Sequence, residues 1–210
     1  MARRVARAVA LVLAALLSAR ADWLATHTAD EASAAELQGK LLEQFGKKID
    51  GFHRSPVESF YWADGPTRAE HEVRILLDSE VPFVELRRTV ESLHPYKLPM
   101  IVSTAHGGPL IANNIERYLM GTVDINQTTA TEAGMLAKEL VQVRYAACSH
   151  VEEAEDAAAD TYRVTVKTTA SGRKHISREF GGLDFEWTPL QGNRPFLDWL
   201  ETSVSSGSEL

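Results

Sequence analysis

Two side chains that can bind metals stand one residue apart in the second half of the sequence, at Cys148 and His150. On a β-strand, residues i and i+2 face the same side, so the thiol and the imidazole would share one surface. Thiolate and imidazole ligands suit copper or zinc. Two ligands alone make a weak site, so this pair requires a third ligand from elsewhere. The alternative is a structural role, since a lone cysteine between a helix and a strand is usually just buried.

Other sequence patterns that could serve a chemical function are weaker. An acidic run at residues 152–160 indicates a solvated hairpin, with a hard-cation site as the alternative. The remaining histidines have no ligand spacing and are expected at the surface: His27, His53, His71, His106 and His175. The sequence lacks the glycine-rich phosphate loops, the H-E-x-x-H pattern and the G-x-S-x-G nucleophile elbow. We therefore expect no enzyme activity.

Composition restricts the class of protein. The chain has 210 residues, 44% of them hydrophobic and 24% charged, which is typical of a globular protein with one ordinary or two small domains. The net charge of -7 argues against a nucleic-acid partner, which would require clustered Lys and Arg. A single cysteine excludes a disulfide within the chain.

The N-terminus has the pattern of a secretory signal peptide. Arginines at positions 3, 4 and 7 precede an apolar run at residues 8–17, and Ala19-Arg20-Ala21 fits a cleavage site. We expect residues 1–21 to be removed and the mature chain to be secreted or to stay in the secretory pathway, with no membrane span. An uncleaved anchor and a route to a plastid are the alternatives. Asn126 begins an N-x-[ST] sequon in a polar loop, so it is a candidate glycosylation site.

Hydrophobic periodicity predicts the secondary structure of the mature chain. In the first half, strands are expected at residues 23–28, 55–62, 72–78 and 98–102, with helices carrying apolar faces from Ala34 to Phe45 and from Phe83 to Leu93. In the second half, strands are expected at residues 119–125, 162–166 and 185–188, with helices around residues 133–141 and 170–180. The first half therefore reads β-α-β-β-α-β, a ferredoxin-like unit, and the second half is a shorter copy. We predict an α+β fold with antiparallel sheets and units at residues 22–118 and 119–210.

Four segments resemble the CutA family of divalent-cation tolerance proteins. Residues 93–99, Leu-His-Pro-Tyr-Lys-Leu-Pro, resemble its helix-ending H-P-Y-E-x-P-E segment, and residues 56–65 resemble its aromatic hairpin. Residues 136–148 are similar to its first helix with the A-A-C ending, and residues 187–200 to its closing Q-G-N and L-x-W signature. Lys97 and Met100 replace the two glutamates of the first segment, and Ile49 stands near the cysteine position of the first copy.

The resemblance implies a homotrimer formed through the sheets, and copper binding through the family cysteine and histidine positions, here Cys148 and His94. Since these lie on different copies, the ligand set would have to be rebuilt across the interface between copies. The alternative for His94 is to end a helix before Pro95, where a cation complements the helix dipole. The aromatic residues expected at sheet and subunit contacts are Tyr61, Trp62, Tyr96, Trp187 and Trp199.

Three functions remain open from the sequence. The first is a divalent-cation tolerance protein that responds to metal ions and binds copper or another divalent metal. The second is a trimerising or partner-anchoring module without a metal role, with an unidentified protein partner. The third is a sensor of a small ligand, similar to the PII proteins.

Overall fold

The computed structural model describes residues 24–63, 67–104, 117–154 and 160–204. The expected signal peptide at residues 1–21 lies outside these ranges, as does most of the acidic run. Within them the strands are β1 Leu24–Thr28, β2 Ile49–Trp62, β3 Thr67–Ser79, β4 Val102–Thr104, β5 Tyr118–Ile125, β6 Cys148–Glu153, β7 Tyr162–Thr169 and β8 Glu186–Gly192. The helices are α1 Glu31–Phe45, α2 Phe83–Leu93, α3 Ala130–Gln142, α4 Ala170–Glu179 and α5 Arg194–Ser203. None of the described helices is long and apolar enough to cross a membrane.

The prediction of two ferredoxin-like units in tandem is confirmed. The first unit has the strand order β4-β1-β3-β2 and the second β6-β7-β5-β8, all antiparallel. Pairing of β2 with β6 and of β4 with β8 joins the two sheets edge to edge into a closed eight-stranded barrel. The second unit is the shorter copy, because β6 and β7 have 6 and 8 residues against 14 and 13 in β2 and β3.

Alternation along β3 shows how the barrel separates two environments. Val73, Ile75 and Leu77 are buried in one cluster with residues of α1 and α2, as their period of two predicts. Their neighbours Glu72 and Arg74 point to the opposite face, toward the barrel interior, where both line cavities. The helices therefore cover an apolar outer face, and the polar face of β3 is turned inward.

The long hairpin of the first unit also contributes to the core of the second. Phe60 of β2 is 4% exposed and belongs to the cluster formed by α3, β6 and β7, and Trp62 packs against the same cluster. Burying a phenylalanine side chain stabilises a fold by roughly 1.5–3 kcal/mol. The two units are thus tied by side-chain packing as well as by strand pairing.

The last helix closes one end of the barrel. Phe196 and Leu200 of α5 pack with Leu190 of β8 and with Cys148 in a third buried cluster. Asn193, just before α5, receives a hydrogen bond on Oδ1 from Ile101 N at 3.1 Å and donates one from Nδ2 to Pro99 O at 3.0 Å. These bonds hold residues 99–101 as an irregular segment, so the strand predicted at residues 98–102 was wrong: it begins only at Val102.

Candidate functional site

Described residues that face the barrel interior line two cavities of about 920 Å³ each, both partly open to solvent. Both are lined by His27, Met100 and His150, so these three side chains lie where the cavities adjoin. His27 belongs to the first unit and His150 to the second. The centre of the barrel is therefore built from both copies.

His27 is held by a carboxylate on one side and lacks a partner on the other. Its Nδ1 lies 3.2 Å from Glu72 Oε2, and its Nε2 is buried without a hydrogen-bond partner among the described residues. Burial lowers the pKa of His27 to about 4, so the ring is neutral at pH 7. Because Nδ1–H donates to the carboxylate, Nε2 presents its lone pair to the interior.

Glu72 is fixed in turn by two donors. Its Oε2 accepts the hydrogen bond from His27, and its Oε1 accepts one from the Tyr96 hydroxyl at 3.0 Å. Burial alone would raise the pKa of Glu72, but the hydrogen bonds and charge interaction with its neighbours, His27 first, hold it below its usual value. Glu72 is therefore an ionised carboxylate inside the barrel.

His150 packs against His27 and is also within hydrogen-bond distance of a buried lysine. The two imidazole rings are perpendicular, with centroids 4.2 Å apart. Lys167 Nζ is 2.6 Å from His150 Nδ1, and both side chains are buried. Burial lowers the pKa of Lys167 to about 8 and, together with the Lys167 charge, keeps the pKa of His150 well below its usual value.

One ligand atom from each of His27, Glu72 and His150 lies within 4.8 Å of the other two. Zinc bonds of about 2.0–2.2 Å would put tetrahedral ligand atoms about 3.4 Å apart, so these side chains would have to draw together slightly around an ion. The unpartnered Nε2 of His27, backed by a carboxylate on Nδ1, matches the arrangement found behind metal-bound histidines. The imidazoles fit an ion such as copper or zinc when Glu72 either coordinates the ion or supports His27 Nδ1, but not both. His150 can offer Nε2 only if Lys167 gives up a proton, so that His150 Nδ1–H donates to it.

The structure brings together part of the predicted ligand set. Cys148 and His150 line the same cavity, in line with their i, i+2 spacing on β6. Cys148 is buried, and burial raises the pKa of its thiol to about 11. His94 is engaged elsewhere, because its Nε2 donates to Thr26 Oγ1 at 3.0 Å and its Nδ1 accepts from Tyr96 N at 3.1 Å.

His27 and Glu72 are the residues of the candidate site that the sequence pattern did not reveal. The larger difference from expectation concerns His27. His27 was expected at the surface, but its side chain is 4% exposed and faces the barrel interior. The expectation rested on spacing along the chain, whereas its partners lie on β3 and β6, far away in sequence. His53 and His71 are exposed as expected, His175 is half-buried, and His106 lies outside the described residues.

The expected aromatic contact residues fall into two groups. Tyr61, Trp62, Tyr96 and Trp199 line the same cavity as Cys148, whereas Trp187 packs beside Phe185 in the second unit's cluster. Asn126 is exposed in the turn after β5, where its Oδ1 accepts a hydrogen bond from Thr161. Its glycosylation stays a prediction.

Known proteins similar to this chain agree on one family. The family model described as CutA1 divalent ion tolerance protein matches residues 23–109. The divalent-cation tolerance protein CutA of Thermococcus kodakarensis is 37% identical over 73 residues, which cover 34% of this chain and 68% of the relative.

Similar solved structures carry the same family name. A crystal structure of Pyrococcus horikoshii CutA in guanidine hydrochloride is 28% identical, covers 39% of this chain and 79% of its own, and has a TM-score of 0.36. The periplasmic divalent cation tolerance protein CutA from Archaeoglobus fulgidus is 23% identical. The match covers 42% of this chain and 86% of the Archaeoglobus chain, with a TM-score of 0.37.

The family-model match ends before β5, so the second unit lies outside it. The matched family is described by ion tolerance and not by a reaction, and none of these matches indicates an enzyme. On the identity and coverage of the Thermococcus relative, this chain belongs to the CutA family of divalent-cation tolerance proteins.

Proposed function

We propose that this chain binds a divalent transition-metal ion, copper or zinc, inside the barrel through His27 and His150, with Glu72 as a ligand or as the carboxylate behind His27. The observation that carries the proposal is the buried, unpartnered Nε2 of His27 beside a second buried imidazole. An unsatisfied buried nitrogen costs about 1–3 kcal/mol, and a metal bond would remove that penalty.

The chemistry of the donors selects the class of ion. Imidazole nitrogen suits copper, zinc and nickel, whereas calcium and magnesium require oxygen ligands. The charges near the site offset one another, because Lys167 and Arg74 stand against Glu72 and Glu152. Cys148, the single cysteine of the sequence, lines the same cavity and offers a thiol to an ion that prefers sulfur. The proposed role is to hold and buffer the ion, in keeping with the family's association with cation tolerance.

A metal titration of the chain beginning at Asp22 tests this proposal. We expect Cu²⁺ or Zn²⁺ to bind stoichiometrically by calorimetry, and His27→Asn and His150→Asn each to weaken binding at least about tenfold, the usual effect of losing a ligand or its support. His71→Asn is the matched control, since His71 is exposed beside Glu72. His94→Asn separates this site from the pair Cys148 and His94 implied by the family resemblance.

Two results would count against the interior site. One is unchanged affinity in His27→Asn and His150→Asn when circular dichroism shows both variants folded. The other is a loss of binding in His94→Asn that equals the loss in His27→Asn. In that case the ligand set implied by the family resemblance would be the better description.

We also propose that the chain is exported and forms a homo-oligomer, with a trimer as the expected state. The signal-peptide pattern and the periplasmic relative support export. Oligomerisation is supported by β2, because residues 54–57 pair with β3 but not with β6 among the described residues, which leaves this part of the strand edge for another copy. Native mass spectrometry should find three copies. A monomer at micromolar concentration would contradict the trimer.

A further inference from the structure

One of the two cavities is distinguished by aromatic rings at the junction of the two units. The first unit supplies Tyr61, Trp62 and Tyr96 to its lining, and α5 of the second unit supplies Phe196 and Trp199. Phe196 and Trp199 lie with ring centroids 5.6 Å apart. A cavity of about 920 Å³ is large enough for a small organic molecule.

Among the described residues that line the same cavity, carboxylates outnumber cations. Its described lining contains two carboxylates, Glu70 and Glu72, against one cation, Lys97, which is exposed. Each carboxylate is held by a tyrosine of the cavity: the Tyr61 hydroxyl donates to Glu70 at 2.6 Å and the Tyr96 hydroxyl donates to Glu72 at 3.0 Å. These bonds orient the rings and the carboxylates as one unit.

The tyrosines remain neutral phenols. Burial, with a contribution from Glu70, raises the pKa of Tyr61 to about 12, and burial with the charge of Glu72 raises the pKa of Tyr96 further. Neutral aromatic rings with electron-rich faces attract cations, most strongly when water is excluded. One ring of the set already lies beside a cation of the chain itself: the Arg144 guanidinium carbon is 5.3 Å from the Trp62 ring centroid.

We propose that this cavity binds a small organic cation with a quaternary or methylated ammonium group. Aromatic rings and nearby carboxylates are the combination that recognises such a group, because it cannot donate strong hydrogen bonds and is bound through its diffuse positive charge. Tyr61, Tyr96 and Trp199 supply the rings, and Glu70 and Glu72 supply the charge. The site needs both units, since Trp199 comes from the second.

The neighbouring residues distinguish this site from the proposed metal site. Glu72 belongs to both sites, whereas Glu70 and Trp199 are not among the candidate ligands His27, Glu72 and His150. Binding of an organic cation therefore does not require a metal, and the two proposals can fail separately. The test accordingly uses the chain in the presence of a chelator.

Titration with choline, tetramethylammonium and dimethylbutanol, the uncharged isostere of choline, measures the contribution of the charge. We expect choline and tetramethylammonium to quench tryptophan fluorescence and to bind at least about tenfold more tightly than dimethylbutanol. Calorimetry on the same samples checks the affinities independently of fluorescence.

Variants then assign the binding to this cavity. Glu70→Gln and Trp199→Leu are each expected to weaken choline binding by about fivefold or more. Tyr61→Phe keeps the ring but removes the hydroxyl that holds Glu70, so it should weaken choline binding less than Glu70→Gln does. Glu186→Gln is the charge control, because Glu186 is also exposed but lines the other cavity.

Three outcomes would overturn the proposal. The first is no detectable choline binding, and the second is equal affinity for choline and dimethylbutanol, which would make the cavity merely apolar. The third is a loss of choline affinity in Glu186→Gln as large as that in Glu70→Gln. Binding would then depend on general surface charge and not on this cavity. Trp199→Phe retains an aromatic ring and should preserve binding, which separates recognition from any loss of stability in Trp199→Leu.

Discussion

Replacing Gly172 with alanine is expected to destabilise the folded chain by about 3 kcal/mol, because no space exists for a methyl group. A Cβ at this position would lie 2.0 Å from Thr168 Oγ1 and 2.2 Å from Tyr145 O. It would also meet Val204 Cγ1 at 2.9 Å. The Thr168 hydroxyl donates to Tyr145 O, so the alanine would disrupt both the bond and the packing of α4.

Gly39 provides a matched control with the opposite sign. It lies in the middle of α1 and is exposed, and a Cβ added there would meet no atom within 4 Å beyond its own helix backbone and chain neighbours. Gly39→Ala should stabilise the chain by about 0.5–1 kcal/mol, since alanine favours the helix and restricts the unfolded chain. Urea unfolding followed by circular dichroism gives both values. Equal unfolding midpoints for the two variants would contradict the close packing around Gly172.

The second large effect is expected at the ion pair between the two units. Arg74 on β3 and Glu152 on β6 lie 2.5 Å apart between Nη1 and Oε1, and their side chains are 21% and 8% exposed. Arg74→Met would leave the Glu152 carboxylate buried without its main partner. We expect this variant to lose about 3 kcal/mol in its free energy of unfolding.

A double-mutant cycle identifies the cause. Because Arg74→Met/Glu152→Leu removes both charges, its loss in free energy of unfolding should be clearly smaller than the sum of the losses in the two single variants. The pair Arg163 and Asp124 is the control: it is more exposed, at 29% and 38%, and Asp124→Asn should change stability by less than about 1 kcal/mol. Strict additivity in the Arg74 and Glu152 cycle would show that the charges do not interact.

Much of the fold could be predicted because it is set by local patterns. The apolar residues of β3, at Val73, Ile75 and Leu77, and the apolar face of α1 have periods that local sequence reveals directly. The strand expected at residues 98–102 was wrong, because Asn193, more than ninety residues away, holds its backbone in a non-strand arrangement. The closed barrel could not be predicted either, since the pairing of β2 with β6 depends on edges that carry no sequence signal.

The candidate site was only half predictable. The spacing of Cys148 and His150 showed that they share a face, and this is a local property of β6. His27 and Glu72 join them only through the order of strands in the barrel and the pairing between units. His94 was chosen by family resemblance, but Thr26 and Tyr96 engage both of its ring nitrogens. Contacts of this kind depend on tertiary structure and leave no regular spacing in the chain.

The closed barrel has a consequence for how the protein behaves on dilution. When two separate subunits build a shared interior, that interior disappears below their dissociation constant. Here both units that form the barrel belong to one polypeptide, so the effective concentration of one unit near the other is fixed by the chain. The His27 and His150 rings therefore stay together at any protein concentration. The two units can also have different residues at equivalent positions, whereas identical subunits related by symmetry cannot.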